Sequence, residues 1–274
     1  EMSASLVGSE MCIRDSSNAA LPIVGGSILA HDHYQGGKKV LPIFRAGTRK
    51  HYLMKDFPDV NVSIAEWYNS VVRLESKNRA QLLGAAEMFR SAWENYTDEG
   101  ANVICRTENE DGTFTPHNAV TPIACFNDDG EYQISLILRN NRTDEQYPEG
   151  IFHVHPEHLN IKSEGIGLIE AMGLFILPPR LKRQLSAIVD ILCGETAYDA
   201  AAISDPANDL YVHRHMIDEL LSEGYADGKA EAQARVRAYV SRSCASILDN
   251  TAVFKRDENG RLGFDTFMTA LGLK

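Results

Sequence analysis

The sequence lacks three things. No apolar run approaches the roughly 20 residues that a membrane-spanning helix needs; Leu174–Leu177 is short and is stopped by Pro178 and Pro179. No two of the five cysteines form a C-x-x-C pair, and the wide spacing of Cys12, Cys105, Cys125, Cys193 and Cys244 outlines neither a zinc ribbon nor a disulfide framework. It fits free thiols in a reducing cytoplasm. Basic residues are in deficit, 27 Lys and Arg against 38 Asp and Glu for a formal charge of -11, which argues against a nucleic-acid partner. A nucleotide ligand remains compatible, because a few local cations and backbone N–H groups suffice to hold phosphate.

What is present is an ordinary globular composition, 44% hydrophobic and 24% charged over 274 residues. Residues 1–16 have no clear period and neither the basic start nor the apolar middle of a signal peptide, so they are read as a non-native lead-in and left out of the fold. The chain then starts abruptly near Asn18, as a C-terminal piece of a longer protein would.

Leu21–Leu29 reads as a strand with a glycine pair, and Val40–Phe44 as a second apolar stretch. Val60–Leu74 reads as strand or turn. Ser76 is placed to cap a helix over Lys77–Tyr96, with Leu82, Ala86, Phe89, Trp93 and Tyr96 on one face. Ala119–Phe126 and Tyr132–Leu138 flank Asn127-Asp-Asp-Gly130 as a hairpin. Further strands are expected at Gly150–His155 and Gly167–Leu177. Helices are expected from Pro178-Pro179 to Gly194, from Asp205-Pro206 onward, and over Lys229–Leu248. Strands with one helix come first and helices follow, which makes the class α+β. His213 and His215, two apart on an expected helix, are read as surface residues.

The chemistry concentrates in His31-Asp-His33-Tyr-Gln35, bracketed by Gly25-Gly26 and Gly36-Gly37. In an extended chain His31, His33 and Gln35 share one side. A neutral imidazole can attack phosphorus and form a phosphoramidate, splitting one displacement into two. A neighbouring hydrogen bond fixes its tautomer, and an amide such as that of Gln35 supports charge on a phosphoryl oxygen. Two other readings stay open, a solvated strand that carries two histidines and a metal site whose third ligand is not visible nearby. His153-Val-His155 repeats the H-x-H pattern with Glu157 in place of the glutamine. Arg139, Asn140, Asn141 and Arg142 are either phosphate contacts or a loop after a strand.

Leu21–Gly37, Arg106–Pro122, Leu138–Asn141, Phe152–Glu157 and Ile161–Gly173 together resemble the UDP-glucose–hexose-1-phosphate uridylyltransferases of the second bacterial class, in the histidine-triad superfamily. The resemblance covers about residues 18–274. It implies a histidine-triad-like antiparallel sheet with packed helices and a helical C-terminal tail. It divides the chain into the end of a first half (17–50), a second half (51–195) and a helical extension (196–274). It implies that His33 takes UMP from UDP-glucose and passes it to galactose 1-phosphate. His31 orients the nucleophile and Gln35 holds the phosphoryl group. Gly25, Gly26 and Ser27 lie along the nucleotide phosphates, Glu170 is the candidate to hold sugar hydroxyls and Lys162 the candidate to serve phosphate. The first class of such enzymes has proline where this chain has Asp32, and cysteine metal ligands that this segment lacks. The cofactor is therefore unknown: a structural metal is possible but unsupported by this segment. The expected partners are the two small-molecule substrates, with a homodimer possible. The alternatives are a dinucleoside-polyphosphate phosphorylase and a nucleotide-binding fragment without turnover.

Overall fold

The computed structural model describes residues 13–17, 21–24 and 34–274. Among these residues the chain is α+β. Strands β1 (Ile13–Ser16), β2 (Gly37–Lys38), β3 (Thr48–Tyr52), β4 (Asn61–Ala65), β5 (Val71–Ser76), β8 (Asn118–Phe126) and β9 (Tyr132–Asn140) form one antiparallel sheet in the order β2-β1-β8-β9-β5-β4-β3. β6 (Arg106–Glu108) and β7 (Phe114–Pro116) form a separate ribbon. The helices are α1 (Arg79–Glu94), α2 (Leu168–Ala171), α3 (Arg180–Leu192), α4 (Ala200–Ile203), α5 (Arg214–Ser222), α6 (Lys229–Asn250) and α7 (Glu258–Ala270). No helix among the described residues is long and apolar enough to cross a membrane.

Two compact units divide the chain. The sheet unit takes the residues up to His153 together with Gly165–Leu174 and Leu248–Lys274. The helical unit takes Val154–Glu164 and Phe175–Ile247. The last helix, α7, thus belongs with the sheet rather than with a helical tail.

Alternation along the strands gives the sheet two unlike faces. One carries Val62, Ile64, Val72, Leu74, Ile134, Leu136 and Leu138 and packs with Leu82, Phe89 and Trp93 of α1 and Phe264, Phe267 and Met268 of α7. Burying each such side chain contributes about 1.5–3 kcal/mol, which makes this layer the main source of stability in the unit. Trp93 lies at its centre, with no exposure, and its indole N–H donates to the carbonyls of both Ala119 and Arg139 at 3.0 Å.

The opposite face is polar and still buried. Register places Ser63, Arg73, Ser135, Ile123 and Ser16 in one row across five strands. Thr121, Gln133, Arg14 and Arg139 lie on the same face and are also buried. Apolar contact on this face includes Ala65, Val71, Ile123 and Ile137, which cluster with Leu41, Ile43, Leu168, Ala171 and Met172, and Ala119, which meets Val24.

Several expected elements are where the sequence put them. The hairpin spans β8 and β9; Asn127 Oδ1 accepts the N–H groups of Asp129 and Glu131, and Gly130 takes φ +74° in the turn. α1 follows its expected stripe, and α3 and α6 fall within or close to their expected ranges. Val60–Leu74 resolves into the β4–β5 hairpin. Other expectations need correction. Ser76 does not cap α1: Asn78 does, accepting the Gln81 N–H at 3.3 Å, while Ser76 Oγ donates to the Asp59 carbonyl. Gly150–His155 is a loop, because Gly150 sits at φ +124° and breaks the extended backbone. Gly167–Leu177 is not a strand but the single-turn α2 followed by a loop, with Gly173 at φ +95°. Asp205-Pro206 begins no helix: Asp205 and Asn208 accept the N–H groups of Ala207 and Leu210, a local turn that competes with helix, and α5 starts only at Arg214.

Residues 13–16, left out of the fold in the sequence reading, form β1 and pair with β8 through Arg14↔Cys125, Asp15↔Ala124 and Ser16↔Ile123. In the expected strand Leu21–Leu29, Leu21–Val24 is a turn, with the Val24 N–H donating to the Pro22 carbonyl, and the rest lies outside the described residues.

Candidate functional site

The described part of the H-x-H-x-Q motif lies at the edge of the sheet, where it runs antiparallel to β1 and leads into β2. Tyr34 bridges to Ser17, and the Gln35 N–H donates to the Ser16 carbonyl at 2.8 Å. The Gln35 carbonyl in turn accepts from Ser16 Oγ (3.0 Å) and Arg14 Nη1 (3.2 Å), and Arg14 Nη1 also donates to Ser16 Oγ at 3.0 Å. Two side chains of β1 therefore fix the backbone at the end of the motif. A Cβ on Gly37 would lie 3.3 Å from Arg14 Nη2, so the glycine there admits the guanidinium. His31, His33, Gly25, Gly26 and Ser27 lie outside the described residues.

Glu170 belongs to the same unit. It lies in α2, is 5% exposed, and has Oε2 at 3.0 Å from where a Gly167 Cβ would stand. α2 is seated by the Trp67 indole N–H, which donates to the Ala171 carbonyl at 3.1 Å. His153, also buried, lies against the adjoining Gly165, with Nε2 3.7 Å from the position of its Cβ. Lys162 belongs to the helical unit; it is 6% exposed and donates to the Ile176 carbonyl at 3.0 Å. His155 lies in the helical unit too, with Nδ1 3.8 Å from Glu157 Oε1.

Of residues 139–142, at the end of β9 and just after it, three have side chains that serve structure. The Asn140 amide donates to the Ile104 carbonyl (3.0 Å) and Asn118 Oδ1 (2.7 Å). Asn141 Oδ1 pairs with His117 Nδ1 at 2.9 Å, and Arg142 Nη2 donates to the Asn102 carbonyl at 2.7 Å. The Arg139 side chain has no hydrogen bond from Nε or Nη2 among the described residues.

The helical unit holds a cavity of about 680 Å³ lined by Asn160, Ser163, Arg180, Gln184, Arg214 and Tyr239 among others. Beneath it lies His213, which the sequence reading placed on the surface and which is fully buried. It sits on a 3-10 turn before α5, where its Nε2–H donates to Gln184 Oε1 (3.1 Å) and Nδ1 accepts from the Asn160 amide (3.5 Å). Burial, and then the nearby Arg180 cation, push its pKa down to about 4, against the opposing pull of Asp209. His215 is exposed, as expected.

One cluster among the described residues has metal-ligand character: Asp190, Cys193 and Glu195. The Lys229 ammonium already bonds Asp190 (2.8 Å) and Glu195 (3.1 Å), so it occupies the place of a cation.

The fold is that of an α+β protein whose antiparallel sheet carries the buried arginines Arg14 and Arg139 on one face. The chain matches the family described as galactose-1-phosphate uridyl transferase, C-terminal domain, over residues 13–221, and it belongs to that family. It is 43% identical over 259 residues to the galactose-1-phosphate uridylyltransferase of Caldanaerobacter subterraneus subsp. tengcongensis, covering 94% of this chain and 50% of that protein. It is 40% identical to galactose-1-phosphate uridylyltransferase 1 of Streptococcus pneumoniae serotype 4 (94% and 49% covered) and 40% identical to the enzyme of that name from Clostridium acetobutylicum (93% and 49%). The chain thus spans about half the length of the curated relatives it matches. No solved structure matches it.

Proposed function

We propose that this chain acts in the transfer of UMP from UDP-glucose to galactose 1-phosphate, with His33 as the group that carries the uridylyl moiety. The observation that carries the reading is the H-x-H-x-Q motif at 31–35 in a chain whose family and relatives bear the name of that transfer. An imidazole nitrogen of His33 attacks the α-phosphorus; a P–N bond forms and the P–O bond to glucose 1-phosphate breaks. A phosphate oxygen of galactose 1-phosphate then attacks the same phosphorus and the P–N bond breaks, returning neutral imidazole. His31 orients His33. Gln35, its backbone held by Arg14 and Ser16, supports the charge that develops on the phosphoryl oxygens. Gly25, Gly26 and Ser27 line the nucleotide phosphates, Glu170 holds sugar hydroxyls and Lys162 serves phosphate. A homodimer in the cytoplasm, without nucleic acid or membrane, completes the proposal.

The coverage of about half of each relative favours one second reading, a nucleotide-binding piece that turns over only with the remainder of such a protein. A His33→Gly variant tests the first reading. Transfer should vanish and return with added imidazole, because the free ring can supply the missing nucleophile. Transfer that survives His33→Gly without imidazole contradicts it.

A further inference from the structure

Arg139 lies on the polar face of the sheet, opposite Ala119 of β8, and is only 2% exposed. Its Nε and Nη2 are buried and have no hydrogen-bond partner among the described residues, and no carboxylate there forms an ion pair with it. Arg14 and Arg73, the other arginines of this face, donate through their Nη atoms to the Gln35 and Ala46 carbonyls and leave only Nε buried without a partner, whereas Arg139 leaves both atoms of one edge. A buried, unpaired guanidinium is costly, and native proteins keep such groups where a ligand or ion satisfies them. The two orphaned nitrogens have a shape as well as a charge. Nε and Nη2 form one edge of the guanidinium, the fork whose two parallel N–H bonds match two oxygens of a phosphate.

We propose that Arg139 is a phosphate-binding residue, holding two oxygens of a phosphate group through Nε and Nη2. Burial lowers its pKa to about 10, with no charge partner contributing, so the side chain remains a cation at neutral pH. Its main-chain carbonyl is fixed by the Trp93 indole, and its neighbour Asn140 is bonded through its amide at two points. The root of the side chain is thereby held, so little entropy is lost when the fork binds. The proposal relies on the uridylyl-transfer reading only for the carrier of the phosphate, a nucleotide or a sugar phosphate.

The test is thermal unfolding of the full chain and of its R139M and R139K variants at neutral pH, against inorganic phosphate at constant ionic strength. UMP and galactose 1-phosphate serve as separate arms. Phosphate should raise the wild-type melting temperature. R139M should melt at or above the wild type in phosphate-free buffer, since an unpaired buried charge is gone, and should not respond to phosphate. R139K keeps the charge without the fork and should need about tenfold more phosphate for the same shift. The arm with the tighter midpoint names the carrier. The proposal is overturned if phosphate gives the wild type no shift, if R139M still responds, or if R139M melts well below the wild type without phosphate. No transfer step enters this measurement, so its result is separate from the fate of His33.

Discussion

Replacing His213 with glutamine isolates the pH response of the helical unit. The ring is fully buried and held neutral between Gln184 and Asn160, with its pKa lowered from 6.5 to about 4. Once unfolded, it protonates near pH 6.5. Between the two values unfolding takes up a proton that the folded chain refuses, so stability falls as pH drops through that window. Above pH 6.5 both states are neutral and His213 adds no pH dependence. The full shift corresponds to at most about 3 kcal/mol, of which about 2 kcal/mol is lost by roughly pH 5. Glutamine can keep an N–H donor toward Gln184 Oε1 without titrating. Urea unfolding followed by circular dichroism near pH 7 and pH 5 should show the wild type losing about 2 kcal/mol more than H213Q over that interval. Equal losses in the two proteins, or an NMR titration of His213 with its midpoint near 6.5, would refute the reasoning.

Two further perturbations probe the sheet unit. Gly173→Ala forces a side chain into φ +95° and sets a Cβ 2.9 Å from both Pro42 Cβ and Trp67 Cη2, so urea denaturation should show a loss of more than about 1 kcal/mol. Because Gly173 closes the turn after α2, Trp67 fluorescence should change as well; an unchanged midpoint and spectrum would contradict the packing described. Trp93→Ala removes the central side chain of the apolar layer and the donor to two strand carbonyls, and should cost about 3–5 kcal/mol by the same assay. A cost under about 1 kcal/mol would place the core elsewhere.

Periodic elements were legible in the sequence. Leu82, Ala86, Phe89 and Trp93 recur at helical spacing and bury as a stripe, and Asn127-Asp-Asp-Gly130 supplies both the side-chain acceptor and the positive φ that a hairpin needs. The two unlike faces of β9 can also be read: Ile134, Leu136 and Leu138 alternate with Gln133, Ser135 and Arg139. Elements whose form depends on tertiary contact were not. Ile151 and Phe152 look like strand residues, yet they enter the core from a loop, where packing rather than local preference sets the backbone. The signals for α7 are weak in the sequence: an Asp257 cap accepting the Gly260 N–H, then Phe264, Phe267 and Met268 at spacings of three and four, obscured by two glycines. β1 looked patternless because its contribution is made in register, through Arg14 and Ser16 on the Gln35 carbonyl, and register is invisible in a single strand. From the sequence Arg139 reads as a phosphate contact or a loop residue; that its Nε and Nη2 lack a partner shows only with the sheet assembled.

The central claim is a covalent bond between His33 and a nucleotide's phosphorus. Its most direct test is to incubate the protein with UDP-glucose, digest at alkaline pH, where phosphoramidates survive, and locate the adduct by peptide mass spectrometry. The account predicts a uridylyl group on the peptide bearing His33, removed on addition of galactose 1-phosphate. An adduct on another residue, or one that galactose 1-phosphate leaves in place, would contradict it.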